Sequence, residues 1–545
     1  MKKTIYIQRI IVLFVFLFLL FGVLWWRIKI RMIDEAYKLS AWADSQYTDK
    51  VELSDLNYMV FDTNGKQLLQ YETKYYVIID TGAFTKNNMD AKTDDLYALI
   101  YILRNYDKTY DLSNIGLSDS SKKIRYEIDE TTFNKLSNIK GVKGFYTFST
   151  SKVHRGEAWK VENLLTNTRN PATNKLKSED SLEMQIYNKT KLNQYPILKF
   201  NKDIDGNISD GEFVIPKDNT NIRLTLDKNI QDNIQDILKS DKYKGHSQIG
   251  VVLVESDSGE ILAMTQKDDS QPNVNIGSAT QNGFEPGSIF KVIVEEAGIE
   301  RKRISLGQTY SCQQGIYKID SKKNHGTLDP EEALIVSCNN IFAQLGDEIG
   351  VNNIIAEAQS QGLFQKVLGF DSEVTGDYVM PQNPGEGAGQ LSIGQSMRIT
   401  PVQAVGIVNT VVNNGKYVKP HIVEAYVDDN NTKKEEVKTD EYPTLNKSTA
   451  NIMKNQLIKV VRRGTGKSAY ISNIEVGGKT GTSTRIDGDR STSDGWFMGF
   501  FKVGNKYYSM VVFVKDIDSE NEEAANTAAP VFKDIAISLY DYLRK

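Results

Sequence analysis

Ser288 and Lys291 stand three positions apart, with residue types that could carry out nucleophilic chemistry. A serine hydroxyl attacks poorly until a base takes its proton. A lysine held out of water can lose its own proton near neutral pH and act as that base. Positions i and i+3 are neighbours on a helix, so the two side chains would share a face. Pro286 and Gly287 punctuate the chain just before. Ile289, Phe290, Val292 and Ile293 follow as an apolar run, which reads as a helix start. The spacing alone is common. It recurs at Ser120/Lys123, Ser137/Lys140 and Ser149/Lys152, which are assigned no role, and the plain reading of Ser288 and Lys291 is a helix start with a solvated lysine.

Two further groups change the weighing. Ser337-Cys338-Asn339 interrupts two helical stretches, Pro330 to Val336 and Asn340 to Leu345. A serine and an asparagine flanking one residue of a tight loop can point into a cleft together. The hydroxyl can relay a proton, and the amide can hold a substrate carbonyl or orient a lysine. Lys479-Thr480-Gly481-Thr482 follows Val476-Gly477-Gly478. The glycines would let a strand edge approach a substrate, the lysine supplies charge for a carboxylate, and the threonine hydroxyls add hydrogen bonds.

The elements that must position these groups are legible from about residue 221. Ile222 to Leu226 reads as a strand ending in Asp227, an N-cap for a helix with Ile230, Ile234, Ile237 and Leu238 on one face. Ile249 to Glu255 and Glu260 to Met264 read as a hairpin turning through Asp257-Ser258-Gly259. Trp496 to Phe501 and Tyr507 to Val514 read as another, turning at Gly504-Asn505, and a helix from about Pro530 to Tyr542 follows. Strands at both ends with helices between predict an α+β domain: one antiparallel sheet assembled from both ends and covered by helices. The charged stretch from Thr484 to Asp494 reads as a solvated turn.

A chain of 545 residues is too long for one typical core, so more than one domain is expected. The net charge of −4 argues against a general nucleic-acid binder, and two cysteines cannot build a disulfide scaffold. Ile10 to Trp26 carries no charge over 17 positions, with Trp25 and Trp26 where an interfacial aromatic belt would lie. No small-residue cleavage site directly follows it, so a retained membrane anchor is the reading. Basic residues lie on both sides (Lys2, Lys3 and Arg9; Arg27, Lys29 and Arg31), so charge leaves the orientation open. The predicted organisation is a cytoplasmic tip and anchor over 1–33, a non-catalytic α+β pedestal over 34–220, and the catalytic domain over 221–545. Within the pedestal, Asp62-Thr63-Asn64-Gly65 is a hairpin signal and Leu96 to Leu103 a helix.

Ser-x-x-Lys, Ser-x-Asn and Lys-Thr-Gly in this order resemble the class B penicillin-binding proteins. Glu285-Pro286-Gly287-Ser288 is similar to the family's approach to its nucleophile. Ser392-Ile393-Gly394-Gln395 with Thr400-Pro401-Val402-Gln403 resembles a mid-domain signature, and Gly495-Trp496-Phe497-Met498-Gly499-Phe500 the strand after Lys-Thr-Gly. Asp62 to Gly65 and Ser181-Leu182-Glu183 resemble degenerate family motifs. The Arg-Gly usually ahead of the first is absent.

The resemblance implies a peptidoglycan D,D-transpeptidase that needs no cofactor. It acts on stem peptides ending in D-Ala-D-Ala, outside the cytoplasmic membrane, and is acylated by β-lactams. Ser288, Lys291, Ser337 and Asn339 are the implied catalytic residues, and Lys479, Thr480, Gly481 and Thr482 the implied substrate-binding ones. A polytopic glycosyltransferase is the implied partner. A serine β-lactamase or penicillin-sensing receptor shares the motifs, although no dedicated deacylating base is evident. A non-catalytic cell-wall scaffold is the remaining alternative, against which the intact Ser288/Lys291 pair speaks.

Cys312, His325 and Cys338, with Asp320 nearby, offer a donor set for Zn²⁺, though their spacing matches no standard zinc module. Free thiols or a disulfide are the other readings. His154, His246 and His421 are isolated and read as structural or surface residues.

Overall fold

The computed structural model describes residues 2–114, 123–203, 208, 211–314, 324–380, 387–487 and 490–544. The chain forms two compact units. One comprises residues 1–57, 71–153 and 194–217; the other comprises 58–70, 154–193 and 218–545.

The smaller unit begins with a helix, Lys2–Lys29, which leads through a wider turn at Ile30–Asp34 into a second helix, Ala36–Tyr47. Within Ile5–Asp34 an 18-residue window reaches a mean hydropathy of 2.7, and none of that window is buried within the protein. By length and composition it can cross a membrane. Beyond it, the strand Tyr71–Asp80 lies between the strands Lys123–Ile128 and Phe145–Val153, both antiparallel to it. Alternate residues of the central strand serve two cores. Val77 and Ile79 pack with Leu99, Leu103 and Leu136, and Leu99 and Leu103 belong to the helix Thr93–Tyr106 expected from the sequence. Tyr76 and Ile78 pack with Val51, Leu198 and Phe200 of a second small sheet. A strand covered on both faces buries both of its residue sets, which is why this stretch shows no clean alternation.

In the larger unit, helix α1 (Lys228–Lys239) precedes strands β1 (Gln248–Glu255) and β2 (Ile261–Gln266). Next come helices α2 (Lys291–Glu300), α3 (Pro330–Ile335), α4 (Asn339–Ile349), α5 (Val351–Ser360), α6 (Pro401–Val412) and α7 (Lys447–Arg463). Strands β3 (Val476–Asp487), β4 (Arg490–Val503) and β5 (Lys506–Asp518) follow, then helix α8 (Ala528–Leu543). The sheet order is β2-β1-β5-β4-β3, antiparallel throughout. The two predicted hairpins meet where β5 pairs with β1, with Val512 opposite Val251. One face packs Val251, Leu253, Val512, Val514, Phe497 and Phe501 against Ile230 and Ile234 of α1 and Phe532 and Ile535 of α8. Each such side chain contributes about 1.5–3 kcal/mol of burial. Asp227 caps α1 as expected, accepting from the backbone N–H of Asn229 and of Ile230. Thr400 and Gln403 form a reciprocal capping box at the start of α6, with Pro401 in its first turn.

The expected contiguous boundary at 220 differs from this division, because 58–70 and 154–193 bond into the larger unit. Met59 N–H donates to Asn221 Oδ1 at 2.8 Å, Trp159 N–H to the carbonyl of Asp269 at 3.1 Å, and Leu182 N–H to that of Gly369 at 2.8 Å. The Asp62–Gly65 turn closes as a hairpin with a single bridge, Phe61 to Gln67, while Val60 and Phe61 pair in parallel with Ile222 and Arg223. Asp62 accepts from the N–H groups of Asn64, Lys66 and Lys228. Among the described residues, the stretch from Thr484 to Asp494 is strand rather than turn. Its residues continue β3 and β4 as a paired ribbon to Asp487 opposite Arg490, and Asp494 is buried; residues 488 and 489 lie outside the described residues.

Glu183 shows what holds residues 154–193 to the larger unit. Its carboxylate accepts from Lys177 Nζ at 2.7 Å, with both side chains fully buried, and from Asp371 N–H at 3.1 Å. Glu183→Ala strands a buried ammonium and is expected to destabilise the protein by about 3–5 kcal/mol. Urea titration checks this, and a Lys177→Met/Glu183→Leu double variant should recover most of the loss.

Candidate active site

Ser288 lies in a single 3-10 turn, Gly287–Phe290, that runs straight into α2. The turn is gripped from two sides. Gly287 has φ of +55°, and a Cβ there would sit 2.7 Å from the carbonyl oxygen of Thr482 on β3. On the other side Gly287 N–H donates to the carbonyl of Gly394 at 3.1 Å. A Cβ on Gly394, whose φ is +77°, would lie 2.0 Å from the Gly287 carbonyl oxygen. Gly481 completes the grip, since a Cβ there would meet the Pro286 carbonyl oxygen at 2.5 Å. Only residues without a Cβ allow these backbones to touch. Ahead of the turn, Trp496 Nε1 donates to the carbonyl of Glu285 at 3.0 Å. The indole packs with Phe513 and Phe284, so β4 and β5 fix the approach to the nucleophile.

Lys291 is fully buried, with Nζ 2.8 Å from the Ser337 carbonyl, 2.7 Å from Asn339 Oδ1 and 3.2 Å from Ser337 Oγ. Ser337 reaches it twice because its φ is +59°, a left-handed conformation in the link between α3 and α4. For a non-glycine residue that conformation costs on the order of 1–3 kcal/mol. Lys479, also fully buried, donates to Ser337 Oγ at 3.0 Å and to the Thr480 carbonyl at 2.9 Å. Burial, then the charge of Lys479, pushes Lys291 well below the ordinary lysine range. Burial brings Lys479 down to about 7. Lys291 Nζ donates to the Ser337 carbonyl, Asn339 Oδ1 and Ser337 Oγ, and Ser337 Oγ takes a second bond from Lys479. The structure thus joins Lys291, Ser337, Asn339 and Lys479 in one network. Asn339 is exposed.

Lys479, Thr480, Gly481 and Thr482 lie on β3, the edge strand. Thr480 is 7% exposed, and its hydroxyl donates to Thr465 Oγ1 at 2.9 Å. Thr482 is exposed and accepts from Ala524 N–H at 3.1 Å, which leaves its hydroxyl proton for another acceptor. Gly477 and Gly478 make room for packing rather than for a ligand. A Cβ on Gly477 would strike the Phe500 ring at 2.4 Å, and one on Gly478 the Phe497 ring at 2.7 Å. The sequence reading had no signal for Thr465, which reaches Thr480 only because α7 ends beside β3.

Cys312, His325 and Cys338 also meet. Cys338 Sγ lies 3.2 Å from Cys312 Sγ, and Cys312 Sγ lies 3.6 Å from His325 Nδ1. All three donor atoms fall within 4.8 Å of one another. Both thiols are free and buried, and burial pushes Cys338 up to about 11. Asp320 lies outside the described residues. The three donor atoms stand close enough together to hold one metal ion.

Residues 249–536, just over half of the chain, match the penicillin binding protein transpeptidase domain. Among curated proteins, Stage V sporulation protein D of Bacillus subtilis is 26% identical over 352 residues, covering 59% of this chain and 54% of the relative. Penicillin-binding protein PbpB of Mycobacterium tuberculosis is 28% identical over 346 residues, covering 57% and 51%. The chain thus spans about half the length of these relatives. Among solved structures, penicillin binding protein 2X of Streptococcus thermophilus shares the fold, with a TM-score of 0.65 at 20% identity, covering 91% of this chain and 81% of that one.

Gly394 offers a direct test of the grip on the serine turn. Gly394→Ala must move the Gly287 carbonyl and strain its own backbone, at about 1–3 kcal/mol. We expect a lower melting temperature and slower modification of Ser288 by a serine-directed acylating probe. An equivalent alanine at Gly504, where nothing lies within 4 Å of the added Cβ, should leave the modification rate unchanged.

Proposed function

We propose that this chain, which belongs to the penicillin-binding protein transpeptidase family, is a class B peptidoglycan D,D-transpeptidase that cross-links stem peptides through a serine acyl-enzyme. The observation that carries the reading is the pair of fully buried lysines sharing Ser337 Oγ. Ser288 Oγ attacks the penultimate D-alanyl carbonyl while Lys291 takes its proton. The backbone N–H groups of Ser288 and Thr482 face the developing oxyanion; the contact between Gly287 and the Thr482 backbone supports this pairing. Ser337 passes the proton to the departing D-alanine, and Asn339 holds the peptide backbone. Lys479, Thr480 and Thr482 bind the terminal carboxylate, Thr480 by turning its hydroxyl proton from Thr465 to the substrate. An amine of a second stem peptide attacks the acyl-enzyme, forms the new amide and frees Ser288. A β-lactam follows the same first half and stays attached.

The substrate lies outside the cytoplasmic membrane. The helix Lys2–Lys29 would therefore be a single-pass anchor with its N-terminus inside and the chain beyond it outside. Residues 34–57, 71–153 and 194–217 would serve as the non-catalytic pedestal, and a polytopic glycosyltransferase would be the membrane partner. Cys312, His325 and Cys338 would hold one structural Zn²⁺, fixing Cys338 between Ser337 and Asn339.

Three outcomes are expected. The full chain in detergent should take a stable covalent label from a fluorescent penicillin, and Ser288→Ala should take none. Label lost rapidly to hydrolysis would indicate a β-lactamase, and no label on either would leave a scaffold. Because Lys479 is cationic only below about 7 in the empty site, the affinity for the penicillin carboxylate before acylation should weaken as pH rises through about 7. Stopped-flow labelling at several concentrations checks this. Metal analysis of the purified chain should find one zinc, lost in Cys312→Ser with a lower melting temperature. A metal-free wild type would leave two thiols.

A further inference from the structure

The helix carrying the reactive pair contains two carboxyls that the chemistry above does not use. Glu295 and Glu296, on α2, are both fully buried. Each faces one glutamine. Gln456 Nε2 on α7 donates to Glu295 Oε1 at 2.7 Å. Gln361 Nε2, at the end of α5, donates to Glu296 Oε2 at 2.8 Å and also reaches Glu357 Oε1 at 3.1 Å. The second oxygens match in the same way. Glu295 Oε2 and Gln456 Oε1 are buried without a partner, and so are Glu296 Oε1 and Gln361 Oε1. Four orphaned acceptors around two side-chain pairs are costly if both carboxyls are ionised, because an anion offers only acceptors and a buried unpaired oxygen keeps its desolvation penalty.

A proton on each carboxyl removes the whole mismatch. A carboxylic acid has one donor and one acceptor edge to edge, and so does a primary amide, so the two close a planar ring with two hydrogen bonds. We propose that Glu295 and Glu296 are protonated carboxylic acids, each joined to its glutamine by two hydrogen bonds. These two rings fasten the helix bearing Ser288 and Lys291 to α7 and α5. The charged groups that face them agree. Around Glu295 stand Glu331 and Asp329, and around Glu296 stand Glu357, Glu300 and Glu295 itself. All are acids. The nearby bases are engaged elsewhere, Lys459 with Glu331 and Arg301 beside Glu357. Among the described residues, no cation bonds to either carboxyl. Burial pushes Glu295 up to about 8 and Glu296 well above the carboxylate range. Glu295 also follows Lys291 by four residues, one helical turn away. Kept neutral, it does not hold the lysine in its protonated form. Both glutamates are therefore positioning residues that act through the helix.

An acid bound more tightly to its proton in the folded chain gives stability that is complete below the usual carboxylate range. That stability is lost as pH climbs toward the raised value. The melting temperature of the full chain in detergent should therefore fall between pH 5 and pH 8 by on the order of 5 °C more than that of Glu295→Gln/Glu296→Gln. Glutamine preserves both bonds of each ring and cannot ionise. Equal slopes in the two proteins would overturn the proposal. The infrared spectrum of the wild type at pH 7 should show the C=O stretch of protonated carboxyls, reduced in Glu295→Gln and Glu296→Gln taken singly. This measurement stands if the double variant does not fold, and absence of the band would overturn the proposal. A third readout rests on the proposed chemistry of Ser288, whereas the thermal and infrared ones do not. Glu296→Ala should slow penicillin labelling by about tenfold or more, equivalent to about 1.4 kcal/mol, and Glu296→Gln should restore it. Equal losses in both would count against a protonated positioning role.

Discussion

Lys291 Nζ is taken wholly out of water, yet it sits among a carbonyl, an amide oxygen and a hydroxyl. Desolvation removes the advantage of the ammonium form, and the three partners hold the amine in place once it is neutral. Much else in the unit serves this arrangement. The left-handed Ser337 turns two atoms toward one amine, and Asn339 supplies the third contact from the first position of α4. Lys479 stands on the far side of Ser337, where its charge opposes a second charge on Lys291. Without the burial the same residues would be a solvated lysine near a serine, which is what the spacing alone describes.

Burial of that kind requires close approach, and backbone does the approaching. The serine turn is squeezed between β3 and the segment ending at Gly394, with glycines at 287, 394 and 481 facing carbonyl oxygens. These positions explain, in steric terms, why motifs far apart in the chain share glycine beside their reactive residues. Side-chain packing then fixes the pieces. Trp496 both fills the space beside Phe284 and Phe513 and donates to the chain three residues before the nucleophile. The sheet therefore acts as more than a support: its edge strand carries Lys479, and the strand beside it carries the residue that aims Ser288.

The unit handles buried polarity in three chemically distinct ways. Lys177 and Glu183 form an ion pair in which each charge is answered. Glu373 accepts the N–H groups of Val367, Leu368, Gly369 and Phe370, which spread its charge over a loop. The carboxyls on α2 have only amide partners and acidic neighbours. Near the reactive lysine, the arrangement avoids a compensating negative charge, consistent with keeping the amine neutral.

The sequence by itself determined the local features: the serine-lysine spacing, the Ser-x-Asn break between two helices, the Asp227 cap, both hairpins and the α+β order. Each depends on residues close in the chain, where periodicity, turn chemistry and capping act. Only the tertiary structure decided the rest. It assigned 58–70 and 154–193 to the larger unit through bonds to residues far along the chain. It turned the charged stretch after Lys-Thr-Gly into a strand ribbon, because cross-strand pairing outweighed local polarity. It gave Gly477 and Gly478 to aromatic packing, brought Thr465 to Thr480, and set three metal-donor atoms together. Burial, register and long-range approach are sums over distant segments, so no short window of sequence contains them.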